Sequence, residues 1–165
     1  NMLQSLFDSQ IKSLGFVMII IAIMFLLLFR SLTLMIIGII PNLMSALLVI
    51  GLMGILNLPL DMMTITIAAI TVGIAVDNSI HYIYRFREEF QVYKNYEKTI
   101  RVCHSTIGKA IFFTGITVIF GFSILILSNF IPTIIFGLLT GFAMLVALLA
   151  VLTLLPRLIA SLEPL

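Results

Sequence analysis

Thr71-Val72-Gly73-Ile74-Ala75-Val76-Asp77-Asn78-Ser79-Ile80-His81-Tyr82 places an acid, an amide and an imidazole inside an apolar run. That run, Met62 to about Tyr84, is as long as a bilayer is thick. A charged side chain at the centre of a membrane helix costs roughly 2.5–3.5 kcal/mol on insertion scales, so an acid kept there is a functional residue by default. His81 lies four residues after Asp77 and shares its helix face. Gly73, Ala69 and Thr66 continue the same stripe backward, a composition suited to packing against helices rather than lipid.

Around this span the chain alternates apolar runs with short polar breaks. Residues 1–13 mix Gln4, Asp8, Gln10 and Lys12 with apolar residues and read as the tail of an extracytoplasmic segment. The transmembrane domain is expected over 14–160, with spans at about 14–30, 32–56, 62–84, 111–129 and 131–159. Pro41-Asn42 predicts a kink near Gly38 in the second span, because proline withholds a backbone donor. Asn57 to Asp61 is a short turn. Residues 85–110 collect most of the charge, and Ile100, Cys103 and Ile107 recur at helical spacing, so a surface-lying amphipathic helix is expected. The fold class is therefore all-α: a five-span helix bundle plus one amphipathic segment.

Composition agrees. The chain is 62% hydrophobic and 10% charged, against about 25% charged in a typical soluble domain. Its mean hydropathy is +1.28. A net charge of +2 gives no footprint for nucleic acid, and one cysteine allows neither an internal disulfide nor a zinc framework. The chain starts at Asn1 without a signal-peptide pattern, and reads as a piece of a longer polypeptide. Eight of its nine Lys and Arg (Arg30, Arg85, Arg87, Lys94, Lys98, Arg101, Lys109 and Arg157) fall on one side of a five-span topology, with Lys12 opposite. The positive-inside rule then puts loop 85–110 and the C-terminus in the cytoplasm and the N-terminus outside.

A carboxyl in a low-dielectric span is easily neutralised, so Asp77 can take a proton from one side and release it to the other. The competing structural reading makes it glue, hydrogen-bonded to Thr114 or Thr117 of a neighbouring helix. Asn78 alone is more often a packing amide than a relay member, and His81 near an interface serves headgroups as readily as protons. Gly137 and Gly141 form a GxxxG packing pattern. An enzyme is not expected. Asp61 and Asp77 are sixteen residues apart, roughly 24 Å along one helix, too far to share a proton. HExxH, GxSxG and P-loop motifs are missing, and no cofactor is expected.

Pro41-Asn42, Gly51-Leu52-Met53-Gly54, Leu58-Pro59-Leu60-Asp61, Gly73 to His81 and Arg85-Phe86-Arg87-Glu88-Glu89 together resemble the resistance-nodulation-division (RND) superfamily. The similar branch is that of exporters with MMPL-type, sterol-sensing-like membrane domains. Ser128 to Pro132, Phe136 to Thr140 and Leu154-Leu155-Pro156 resemble the closing helices of a C-terminal repeat. The resemblance implies helices two to six of one repeat, in a bacterial or archaeal inner-membrane protein driven by the proton gradient and exporting lipids or other hydrophobic compounds. It implies a proton relay at Asp77, assisted by Thr114 or Thr117; read from the residues themselves, Asn78 bonds the charged form of Asp77, His81 serves the cytoplasmic exit, and Gly73, Gly137 and Gly141 pack helices. Asn78 stands where many relatives carry a second titratable group. Expected partners are membrane lipids, the other repeat, a hydrophobic substrate and a second copy in a homo-oligomer. Na⁺ coupling is the variant that amide and hydroxyl oxygens allow. The alternative is a sterol-sensing-like lipid-binding or regulatory module that does not pump.

Overall fold

The computed structural model describes residues 2–58 and 62–165, without the side chains of residues 3, 7 and 62. Asp61 and the Pro59-Leu60 part of the expected turn lie outside the described residues. Seven α-helices are described: α1 (Met2–Phe29), α2 (Leu32–Ile55), α3 (Met62–Tyr93), α4 (Tyr96–Cys103), α5 (Lys109–Ser123), α6 (Ile131–Leu149) and α7 (Leu155–Leu162). π turns join α4 to α5 (His104–Gly108) and α6 to α7 (Ala150–Leu154), and a 3₁₀ turn (Ile124–Leu127) ends α5. Among the described residues five helical stretches are long and apolar enough to cross a membrane, and no strand occurs. The all-α membrane bundle read from the sequence is the architecture found.

Capping chemistry explains where these helices stop. Arg30 closes α1 in the left-handed region (φ 49°), and its N–H donates to Leu26 O at 2.8 Å. Ser31 then caps α2 by accepting from Leu34 N. At the other end of α2, Asn57 (φ 51°) and Leu58 donate to Gly54 O and Met53 O, the paired bonds of a Schellman motif. Lys94 (φ 48°) ends α3, and the Asn95 side chain accepts from Lys98 N to start α4.

Two helices run beyond the bounds of the expected spans. Helix α1 begins at Met2, so the polar stretch ahead of the expected span is helical as well, no Gly or Pro interrupting it before Gly15. The 85–110 segment is not one helix: α3 runs on to Tyr93, and the Asn95 cap starts a separate short helix that buries Thr99 and Cys103.

Helix α6 lies at the centre, packed on α5, α3 and α2, while α1 packs chiefly on α2. At the end carrying Arg30 and the charged segment, the core is Phe25, Phe29, Leu34, Tyr82, Phe86, Leu155 and Ile159 with their neighbours. A smaller cluster of Val49, Met53, Ile67, Leu139 and Ala143 fills the other half. Arg87 pins α1 to α3 at the basic end, donating to Phe29 O at 3.3 Å with its guanidinium over the Phe29 ring. The outer surfaces of α1 and α2 expose bulky aliphatic residues such as Ile20, Ile23, Leu27 and Leu47, as lipid contact requires.

Close approach has been arranged at particular glycines. A Cβ on Gly137 would come within 2.7 Å of Phe122 O, a backbone atom that cannot swing away, whereas one on Gly141 would reach only to 3.7 Å from Ser123 Oγ. Gly137→Ala should therefore lower stability by about 1–3 kcal/mol and Gly141→Ala should be nearly neutral. Thermal unfolding of both variants in detergent checks the contrast.

Candidate functional site

Helix α3 has two faces of different chemistry. The side packed against its neighbours buries Thr71, Ala75, Asn78, Ser79 and Tyr82. On the other side Thr66, Ala69, Gly73, Asp77, His81 and Tyr84, spaced three or four residues apart, are exposed. The Asp77 side chain is 69% and that of His81 61% exposed, with Oδ1 to Nε2 at 3.4 Å. A Cβ on Gly73 would meet nothing within 4 Å. The stripe expected from the sequence exists, but it faces away from this chain's helices. The desolvation expected of neighbouring spans is therefore not supplied by any of the described ones.

The residues expected around Asp77 are only partly gathered. His81 is. Asn78 lies a third of a turn around the helix on the buried face. Thr114 and Thr117 are on α5, which packs mainly on α6, and the Thr117 hydroxyl donates to Phe113 O at 2.8 Å within its own helix. Thr114 and Thr117 form with Ala110 and Gly121 a second open stripe of small residues. Arg85, one turn beyond His81, is held by Glu89 at 2.6 Å and Glu88 at 3.4 Å, so it does not neutralise Asp77. Of the packing glycines, Gly137 meets the end of α5 tightly, Gly141 loosely, and Gly73 is open. Among the described residues no three His, Cys, Asp or Glu side chains converge as a metal site.

An apolar groove of about 240 Å³ opens between α1, α2 and α3 toward the Lys12 end. Leu14, Val17, Ile50, Met53 and Val72 line it, with Gln10, Ser13 and Thr64 as polar members. Ala69 belongs both to this groove and to the open stripe that runs through Gly73 to Asp77.

The sequence matches the MMPL family over residues 1–163. The chain belongs to that family. It is 31% identical over 139 residues to a Methanocaldococcus jannaschii protein described as a membrane protein, an alignment that takes in 84% of this chain. The chain spans 36% of that relative's length. No solved structure matches it. This MMPL-family chain is an integral membrane protein.

Sequence reasoning missed two polar joints inside this MMPL bundle. One is Asn42, completely buried, whose amide donates to Gly38 O at 2.6 Å and to Ser79 Oγ at 3.4 Å, joining α2 to α3. The neighbouring Ser45 hydroxyl donates to Pro41 O at 2.8 Å. The available signal was Asn42 itself, an amide in an apolar helical run, which needs hydrogen-bond partners once buried. The other joint links Tyr82, His104 and Leu152 O, residues too far apart in sequence for any local pattern to connect.

The exposed Asp77–His81 contact contributes little to folding, since pairs of this kind are worth about 0–1 kcal/mol. His81→Ala is thus expected to leave the melting temperature within about 3 °C of wild type. Removing the buried Asn42 amide with Asn42→Ala should cost about 1–3 kcal/mol. Parallel melts in one detergent separate the two effects.

Proposed function

We propose that this chain is half of the membrane domain of a proton-driven exporter of lipids or other hydrophobic compounds, with Asp77 as the coupling acid. The carrying observation is the open stripe on α3: a carboxylate with a histidine beside it, flanked by Gly73 and Ala69, on a membrane-spanning helix face that no described helix covers. Lipid is a poor neighbour for Asp77, and small residues are a poor lipid surface. The face suits a second helix set, the other repeat of a longer protein, and the chain's 36% share of its relative leaves room for one.

In this reading Asp77 is neutral while the site is open to the proton-rich side and ionises when it opens to the other. His81, one turn toward the basic end, passes the proton to the cytoplasm. A charge crossing the membrane potential contributes about 2.3 kcal/mol per 100 mV, enough to bias a conformational equilibrium. Asn78 and the α5 threonines enter only when helices rearrange or the second repeat docks, because the packing described here keeps them off Asp77. Asn, Thr and Asp oxygens also suit Na⁺, which makes the coupling ion a matter for measurement. The reading assigns transport rather than catalysis, needs no cofactor, and places the basic end in the cytoplasm of an inner membrane.

The groove between α1, α2 and α3 favours a second reading, a sterol-sensing-like module that holds a lipid without pumping. In the exporter reading the same groove is a lateral entry for an acyl chain. Transport by the complete protein in liposomes under an imposed pH gradient separates the two. Asp77→Asn should reduce gradient-driven transport to the level of protein-free liposomes. Undiminished transport in that variant would overturn the exporter mechanism, and lipid binding without gradient-driven movement would establish the module.

A further inference from the structure

In a regular helix the Leu152 carbonyl would accept the N–H of residue 156, which here is Pro156 and has none. The helix widens at this place into the π turn Ala150–Leu154, where Leu155 N–H reaches back to Ala150 O. Leu152 O accepts instead from a side chain 48 residues earlier, His104 Nε2, at 3.1 Å. A carbonyl only accepts, so Nε2 carries the proton. In the neutral ring Nδ1 is then an acceptor, and it lies 2.9 Å from the Tyr82 hydroxyl. Tyr82 is fully buried on α3, five residues after Asp77, and its ring stands edge-on to the imidazole. His104 opens the other π turn, His104–Gly108, and a Cβ on Gly108 would lie 3.8 Å from the Leu152 side chain. Two widened turns thus meet at one histidine. Such turns are otherwise rare and recur at functional sites.

We infer that His104 is a positioning residue: its Nε2–H takes the place of the backbone donor that Pro156 lacks, and its Nδ1 holds Tyr82. The resulting three-way joint ties α3 to the π turn between α6 and α7. A displacement of α3 at Asp77 then reaches the closing helices through this joint rather than being absorbed by the soft turn. The joint itself follows from the hydrogen bonds; its part in coupling rests on the exporter reading above.

A double-mutant cycle on the complete protein tests the joint without reference to transport. Pro156→Ala returns an N–H to the backbone, so His104 should matter less in that background. His104→Ala should lower the melting midpoint by a few degrees in the wild type and by less than half as much beside Pro156→Ala. Equal losses in both backgrounds would overturn the donor replacement. If Pro156→Ala does not fold, ¹⁵N shifts of the His104 imidazole decide the same point: a protonated Nε2 and an accepting Nδ1 are expected, and the opposite tautomer would refute it. The coupling part has its own readout. His104→Gln keeps a donor near the Nε2 position and should restore most of the gradient-driven transport that His104→Ala loses, both assayed well below their midpoints. Wild-type transport in His104→Ala would reduce the joint to scaffolding while leaving the stability cycle intact. Failure of Asp77→Asn to affect transport would instead strike the exporter reading.

Discussion

A backbone carbonyl whose donor has been replaced by proline needs another partner, and at Pro156 this bundle supplies one from a side chain 48 residues away. Two prolines sit within its helical runs, Pro41 and Pro156, and each withholds a donor one turn back. Near Pro41 the local side chains turn inward: Asn42 serves Gly38 O and Ser45 serves Pro41 O, and the same amide reaches across to Ser79. At Pro156 the donor comes from His104 on another element, which spans to Tyr82 as well. At Pro156 the replacement of the missing backbone donor doubles as a tie to α3, and near Pro41 the Asn42 amide makes a second tie through Ser79. The helix that carries Asp77 is consequently held from two sides by polar joints, in addition to its apolar packing on α2 and α6.

Held in that way, α3 turns its other face outward. The residues on it are small or polar, whereas the outward faces of α1 and α2 are bulky and aliphatic. Dispersion against lipid tails rewards bulk, while close helix approach rewards small side chains, so the two kinds of surface have different neighbours. The bundle is apolar and close-packed on its core side, while on its α3 side small and polar residues lie exposed. On the proposed function, Asp77 on that side acquires its environment from the second repeat that docks there.

Much of this was legible in the linear chain because membrane insertion imposes long, coarse signals. Five apolar runs, the basic segment and the lone intramembrane acid each stand out within a window of about 20 residues. The stripe Ala69, Gly73, Asp77, His81 follows from helical periodicity alone, but the packing against helices that its small residues led one to expect is made by none of the described helices. The break that ends α3 at Tyr93 and starts α4 was not read, because it turns on single caps, Lys94 in the left-handed region and Asn95 as acceptor, whose effect outweighs the average propensity of the residues around them.

The sequence by itself determined the class of the protein, the number of spans, and which helix face bears Asp77 and His81, since each follows from hydrophobic length and from 3.6-residue periodicity. Only the tertiary structure decided which way that face points. Periodicity defines a face but says nothing of what lies opposite, and packing turned the Asp77 stripe outward while burying Asn78 and leaving Thr114 and Thr117 on a helix that packs elsewhere. It also decided the partners of Tyr82 and His104, because hydrogen bonds between residues 22 and 48 positions apart are set by how helices cross and by which carbonyls proline has left without a donor.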